Sequence, residues 1–110
     1  MGIYNLNGSI TFPVAATVAE TTVGCDSTGN QLLAANTNRQ GFMIYNPSTT
    51  LKLYINFSNL ANPPAPTATT CTLVLQPQGT YISDLPIYTG KVVCSSSGAS
   101  VSVVVREFTP

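Results

Sequence analysis

The sequence predicts an all-β protein: an antiparallel β-sandwich or jelly-roll-like barrel of seven to eight short strands with an extended N-terminal arm. Three observations predict it. The apolar residues lean to Val, Ile, Leu, Tyr and Phe and are mixed with abundant Thr, the side chains that suit a pleated, half-buried surface. Apolar runs are short and are broken by Pro, Gly, Asn and Asp at roughly ten-residue intervals. No stretch keeps apolar i, i+3, i+4, i+7 spacing with helix caps for three turns. At 110 residues and 44% hydrophobic, the chain suffices for one core and one domain.

Residues 1–13 read as an extended arm, with Ile3, Tyr4, Leu6, Ile10 and Phe12 interleaved among Asn, Gly and Ser before Pro13. A single sandwich domain then spans 14–110. Val14 to Val23 is strand-like, and Gly24 to Asn30 is a turn, because Asp, Asn and Gly supply Asx-turn and positive-φ positions. Gln31 to Ala35 makes a short strand, Asn36 to Gly41 a polar turn, and Phe42 to Tyr45 a strand.

The clearest alternation is Leu51-Lys52-Leu53-Tyr54-Ile55-Asn56-Phe57, where Leu51, Leu53, Ile55 and Phe57 share one face. The connector Asn46 to Thr50 makes it the second arm of a hairpin with strand 42–45. Pro63, Pro64 and Pro66 stiffen the loop from Ser58 to Thr70 and deny it ladder donors, so it is an extended excursion. Strands resume at 71–75, 80–83 and 91–94, and the last runs over 101–108.

Charge is the compositional anomaly. The chain has four basic and four acidic residues, no histidine and no tryptophan, for a net charge of zero. A typical soluble domain carries about a quarter of its residues as charges, and surface charge of one sign resists self-association. A surface of Ser, Thr, Asn and small apolar residues instead suits a protein covered by neighbours. The dispersed basic residues offer no stripe for a phosphate backbone, so nucleic acid is not an expected partner. No apolar run approaches a membrane span, and the first residues lack the basic and apolar regions of a signal peptide.

Candidate chemistry is sparse. Without histidine there is no Ser-His-Asp or Cys-His pair and no imidazole ligand. Asp26 and Asp84 are the conceivable acid/base pair, but as turn caps they need no such role. The loop Asp26 to Asn30 offers calcium a single carboxylate. No catalytic residue, metal or cofactor is therefore expected. Cys25, Cys71 and Cys94 are odd in number and far apart, which fits buried free thiols, with Cys71 and Cys94 able to face each other across a sandwich. Two glycosylation sequons, at Asn7 and Asn56, read as accidents of an Asn- and Ser-rich chain. Tyr45, Tyr54, Tyr81 and Tyr88 form a sugar-stacking platform only if they converge; otherwise they bury their rings and keep the hydroxyls wet. Arg39 is placed to brace a turn or an interface by pairing with Asp84 or Glu107.

The segment Asn38-Arg39-Gln40-Gly41-Phe42-Met43-Ile44-Tyr45-Asn46-Pro47-Ser48, followed by Leu53-Tyr54-Ile55, resembles a pattern in small β-modules of tailed-bacteriophage virion proteins. There an N-R-x-G turn enters a strand ending I-Y-N, and a strand reading L-Y-I follows. Pro86-Ile87-Tyr88-Thr89-Gly90-Lys91-Val92 is similar to their P-x-Y-T-G-x-V turn and strand. The likeness spans residues 36–108 and leaves out the first 35 residues and the Pro63–Pro66 loop. It implies a structural virion protein without cofactor or catalytic residues. The form expected is a homotrimeric capsid decoration or cement protein, assembled in the host cytoplasm, with the major capsid protein and its own copies as partners. The alternative is a tail, baseplate or fibre component with a receptor- or glycan-binding role; a further reading of the chain, as an extracellular adhesion or pilus-like subunit, would be favoured by a disulfide. The expected interface residues are Ile3, Tyr4, Leu6, Ile10 and Phe12 of the arm, with Pro63, Pro64 and Pro66 of the loop.

Overall fold

The computed structural model describes residues 17–110; the arm, including Ile3, Tyr4, Leu6, Ile10 and Phe12, lies outside the described residues. Eight strands follow one another: β1 (Thr17–Cys25), β2 (Asn30–Leu33), β3 (Gly41–Tyr45), β4 (Leu53–Ser58), β5 (Leu73–Leu75), β6 (Thr80–Ile82), β7 (Lys91–Ser96) and β8 (Val101–Thr109). They form two four-stranded antiparallel sheets, ordered β1-β8-β3-β6 and β2-β7-β4-β5. The all-β sandwich expected from the sequence is what the chain builds.

Period-two alternation makes the core. Phe42 and Ile44 of β3 and Val101, Val103 and Val105 of β8 point inward from the first sheet. Leu53 and Ile55 of β4, Leu75 of β5 and Val92 and Cys94 of β7 meet them from the second. Phe57, Tyr81 and Tyr88 extend this layer as an aromatic cluster, with Phe57 stacked on Tyr88 at 4.8 Å and edge-on to Phe42 at 5.8 Å. Aromatic pairs in such geometry add about 0.5–1.5 kcal/mol beyond area burial.

Two expectations are corrected. Strands 42–45 and 53–58 are not a hairpin: β3 pairs with β6 and β8, whereas β4 pairs with β5 and β7. The connector crosses between sheets because Asn46 is drawn inside. Its amide nitrogen donates to the carbonyls of Leu51 (2.8 Å), Gln76 (3.1 Å) and Leu75 (3.4 Å), and its Oδ1 accepts the Ser48 N–H at 3.0 Å. Those bonds pull the chain across the end of the sandwich rather than back along β3.

The cysteines are the second correction. Cys25 closes β1 facing inward, Cys94 faces inward from the middle of β7, and the two are joined as a disulfide with Cα atoms 6.3 Å apart. Cys71 lies two residues before β5, half-buried and free. The inward-facing partner of Cys94 is thus Cys25, a pairing that periodicity in a nine-residue strand allows and that spacing does not announce.

The disulfide ties the first sheet to the second across a sequence separation of 69. Closing a loop of that length restricts the unfolded chain by about 4 kcal/mol in the loop-entropy account. The double substitution Cys25→Ala/Cys94→Ala is expected to lose about that much stability in urea unfolding. Both cysteines are wholly buried, so dithiothreitol should leave the native protein oxidised and reduce it only in denaturant, as thiol counting will show.

Candidate functional site

The two outer faces of the sandwich are unlike. The β4–β5 connection, carrying Pro63, Pro64 and Pro66, crosses the outside of the second sheet as a strap. Ser95 Oγ donates to the Pro66 carbonyl at 2.5 Å, and Lys91 Nζ donates to the carbonyls of Ala61 (2.8 Å) and Leu60 (3.2 Å). The outward-facing Val93 and Ser95 are buried as a result. At Gly29, with φ +99°, an added Cβ would come within 2.6 Å of the Ala65 side chain, so both backbone and strap require glycine there. Pro66 is turned into its own domain; Pro64 is exposed and Pro63 half-buried. The strap therefore belongs mainly to its own sheet, and of the three expected interface prolines only Pro63 and Pro64 keep accessible surface.

Nothing among the described residues covers the outside of the first sheet. Register aligns Val18, Phe108 and Gly41 in one row. Glu20, Arg106, Met43 and Ile82 form the next, and Thr22, Val104, Tyr45 and Thr80 the third. Val18 is 55% exposed, Ile82 67%, and Leu85, just beyond β6, 79%. A cleft of about 430 Å³ opens at this margin between Gln40, Ile82, Leu85, Ile87 and Phe108. The charges on the three rows neutralise each other, since Arg106 donates to Glu20 at 3.0 Å across β1 and β8. This face, apolar and nearly uncharged, is the candidate functional surface.

One end of the sandwich is closed by Arg39. Its side chain is fully buried and donates four bonds: to Glu107 Oε2 (2.8 Å) and to the carbonyls of Ala34 (2.6 Å), Gly90 (2.9 Å) and Tyr88 (3.0 Å). The guanidinium also lies 5.4 Å from the centre of the Phe42 ring. Of the two partners the sequence offered, Glu107 is the one used.

The expected acids are turn caps. Asp26 accepts the Thr28 hydroxyl at 2.6 Å and the Thr28 N–H at 2.9 Å; Asp84 accepts the Leu85 N–H at 2.8 Å. The Thr28 bonds favour the charged carboxylate and hold the Asp26 pKa below its ordinary value. The tyrosines diverge. Tyr45 faces out from the first sheet, Tyr54 from the second, and Tyr81 and Tyr88 pack against the core. Burial raises the pKa of Tyr88, whose hydroxyl donates to the Lys91 carbonyl at 2.7 Å. These four tyrosines do not assemble a sugar platform. Among the described residues no group of three or more His, Cys, Asp or Glu side chains is placed to hold a metal.

Comparison with known proteins finds no matching family model, no matching curated protein and no matching solved structure.

Removing one partner of a buried charge pair leaves the other groups unsatisfied and typically costs about 3–5 kcal/mol. Arg39→Ala is expected to lose that much in urea unfolding, and Arg39→Lys to recover only part, because an ammonium cannot reproduce the planar fork. Arg106→Ala, at the exposed pair, should cost no more than about 1 kcal/mol. The Asp26 contribution has the opposite pH sense from a histidine's: its depressed folded pKa makes it fully present above the ordinary carboxylate value and lost as pH falls through the folded one. Asp26→Asn is expected to flatten the acid limb of a stability–pH profile and leave the neutral region's slope unchanged.

Proposed function

We propose that this protein is a structural subunit that functions through its surface, as a decoration or cement protein that binds and stabilises a phage head lattice. The observation that carries the reading is the outer face of the β1-β8-β3-β6 sheet, which no described residue covers, with Val18, Ile82 and Leu85 exposed and the Arg106–Glu20 pair internally neutral. Contiguous apolar surface of this kind marks interaction sites. A chain with so few charges is poorly equipped to stay dispersed without a partner to cover that face. The partners are the major capsid protein and further copies of the chain.

The buried disulfide bears on where the protein works. Disulfides persist on virion and cell surfaces and are rare in the cytosol. The Cys25–Cys94 bond counts against the expected assembly in a reducing host cytoplasm and agrees with an oxidising setting outside the cell. The tail or fibre alternative needs a ligand-binding surface on this domain, and the divergent tyrosines give it little support.

Quantifying the chain against the major capsid protein in purified particles tests the reading. Comparable copy numbers are expected for a lattice-wide cement protein. A handful of copies would move it to the tail or a vertex, and absence from particles would end the virion reading. Within particles, Ile82→Asp/Leu85→Asp should release the subunit while leaving its isolated fold intact by circular dichroism.

A further inference from the structure

β1 occupies one edge of the first sheet, bonded to β8 over all nine residues from Thr17 to Cys25 without a bulge. No strand among the described residues pairs with its other side. Edge strands are normally protected by lysines, prolines, bulges or short length. β1 has none of these. Its sole charge, Glu20, is held by Arg106 on the outer face. Two inward-facing residues, Ala19 opposite Glu107 and Thr21 opposite Val105, are exposed, although Val105 itself is wholly buried. Among the described residues, the mouth of the sandwich beside β1 therefore lacks a layer of larger side chains.

The sequence contains a segment that fits this edge. From Tyr4 to Phe12, a span as long as β1, the apolar residues Tyr4 and Leu6, then Ile10 and Phe12, fall on alternate positions of one face, with Gly8 between the two pairs. Added beside β1, that face would fill the space next to Ala19 and Thr21. Pro13-Val14-Ala15-Ala16, which joins the segment to β1, holds none of the Gly, Asn or Asp residues that reverse a chain within a short hairpin loop.

We infer that residues 4–12 of one copy add as a strand to the free edge of β1 in a second copy, so that copies exchange N-terminal strands. Main-chain bonds supply the affinity, and the alternate apolar side chains fix the register. Exchange of one arm for one edge is a head-to-tail contact, which closes into a ring when the rotation permits. The inference rests on the reading of the chain as an assembly subunit and names its receiving edge.

The test uses the purified protein without particles, so its outcome is independent of the copy-number experiment. Leu6→Asp/Ile10→Asp disables the arm, and Ala19→Lys/Thr21→Lys blocks the edge. Wild-type protein should sediment as an oligomer, and each variant alone at the 11.5 kDa chain mass. A mixture of the two should give a pair of about twice that mass and stop there, because only one arm and one edge remain competent. Should the lysine variant fail to fold, a synthetic peptide of residues 4–12 serves instead, and it should bind the arm variant and break the wild-type oligomer into monomers. A monomeric wild type, variants that still associate, or an arm variant that ignores both its complement and the peptide would overturn the inference.

Discussion

The buried guanidinium of Arg39 is the constraint on which the rest of the domain is arranged. It stands two residues before β3, yet it gathers carbonyls from the segment after β2 and the segment before β7, and a carboxylate from β8. Those groups belong to both sheets. A planar cation with five donors can satisfy them in one place; a lysine or a neutral amide cannot. Its stacking over Phe42 links that polar end directly to the aromatic layer of the core.

Asn46 does the same at the far end of β3. Together the two side chains bracket a five-residue strand whose inward residues, Phe42 and Ile44, are wholly buried. β3 is thus fixed at both ends by hydrogen bonds and along its length by packing, and the chain is forced to leave its sheet after Tyr45. This explains why β4 lies in the opposite sheet. It also gives the N-R-Q-G and I-Y-N motifs a physical meaning: they close the ends of a small sandwich. Such motifs specify a way of building the domain and carry no chemistry of their own.

Much of this was legible in the sequence, because alternation reports directly on burial. Leu53, Ile55 and Phe57 turn inward as their spacing requires, and the strand at 101–108 is present nearly to the residue. Long-range partners left weaker traces. The polar connector after Tyr45 suits a hairpin as well as a crossover, and only the three carbonyls gathered by Asn46 decide between them. Cys25 sits at the end of an exposed strand within a turn-like context, so nothing local marked it as the residue opposite Cys94. The strap was visible as a proline-stiffened excursion, but proline content cannot say which surface it covers. The candidate face escaped notice for the same reason: Val18, Ile82 and Leu85 are far apart in sequence, and only the pairing of β1, β8, β3 and β6 makes them neighbours.

The asymmetry between the sheets connects composition to function. A chain with eight charges cannot coat two sheet faces with ions, and it treats the two faces differently. On the second sheet the strap buries Val93 and Ser95 and satisfies its own carbonyls through Ser95 and Lys91. On the first sheet Arg106 and Glu20 neutralise each other and leave the apolar rows open. A domain stable through its core, its disulfide and its two polar end-closures does not require the outer face of the first sheet to be covered for folding. Among the described residues the open face is then surplus to the fold and lies beside an edge strand with one side unpaired, the kind of surface that suits association between chains. Under the proposed role as an assembly subunit, the scarcity of charge would belong to the assembled state rather than to the isolated domain.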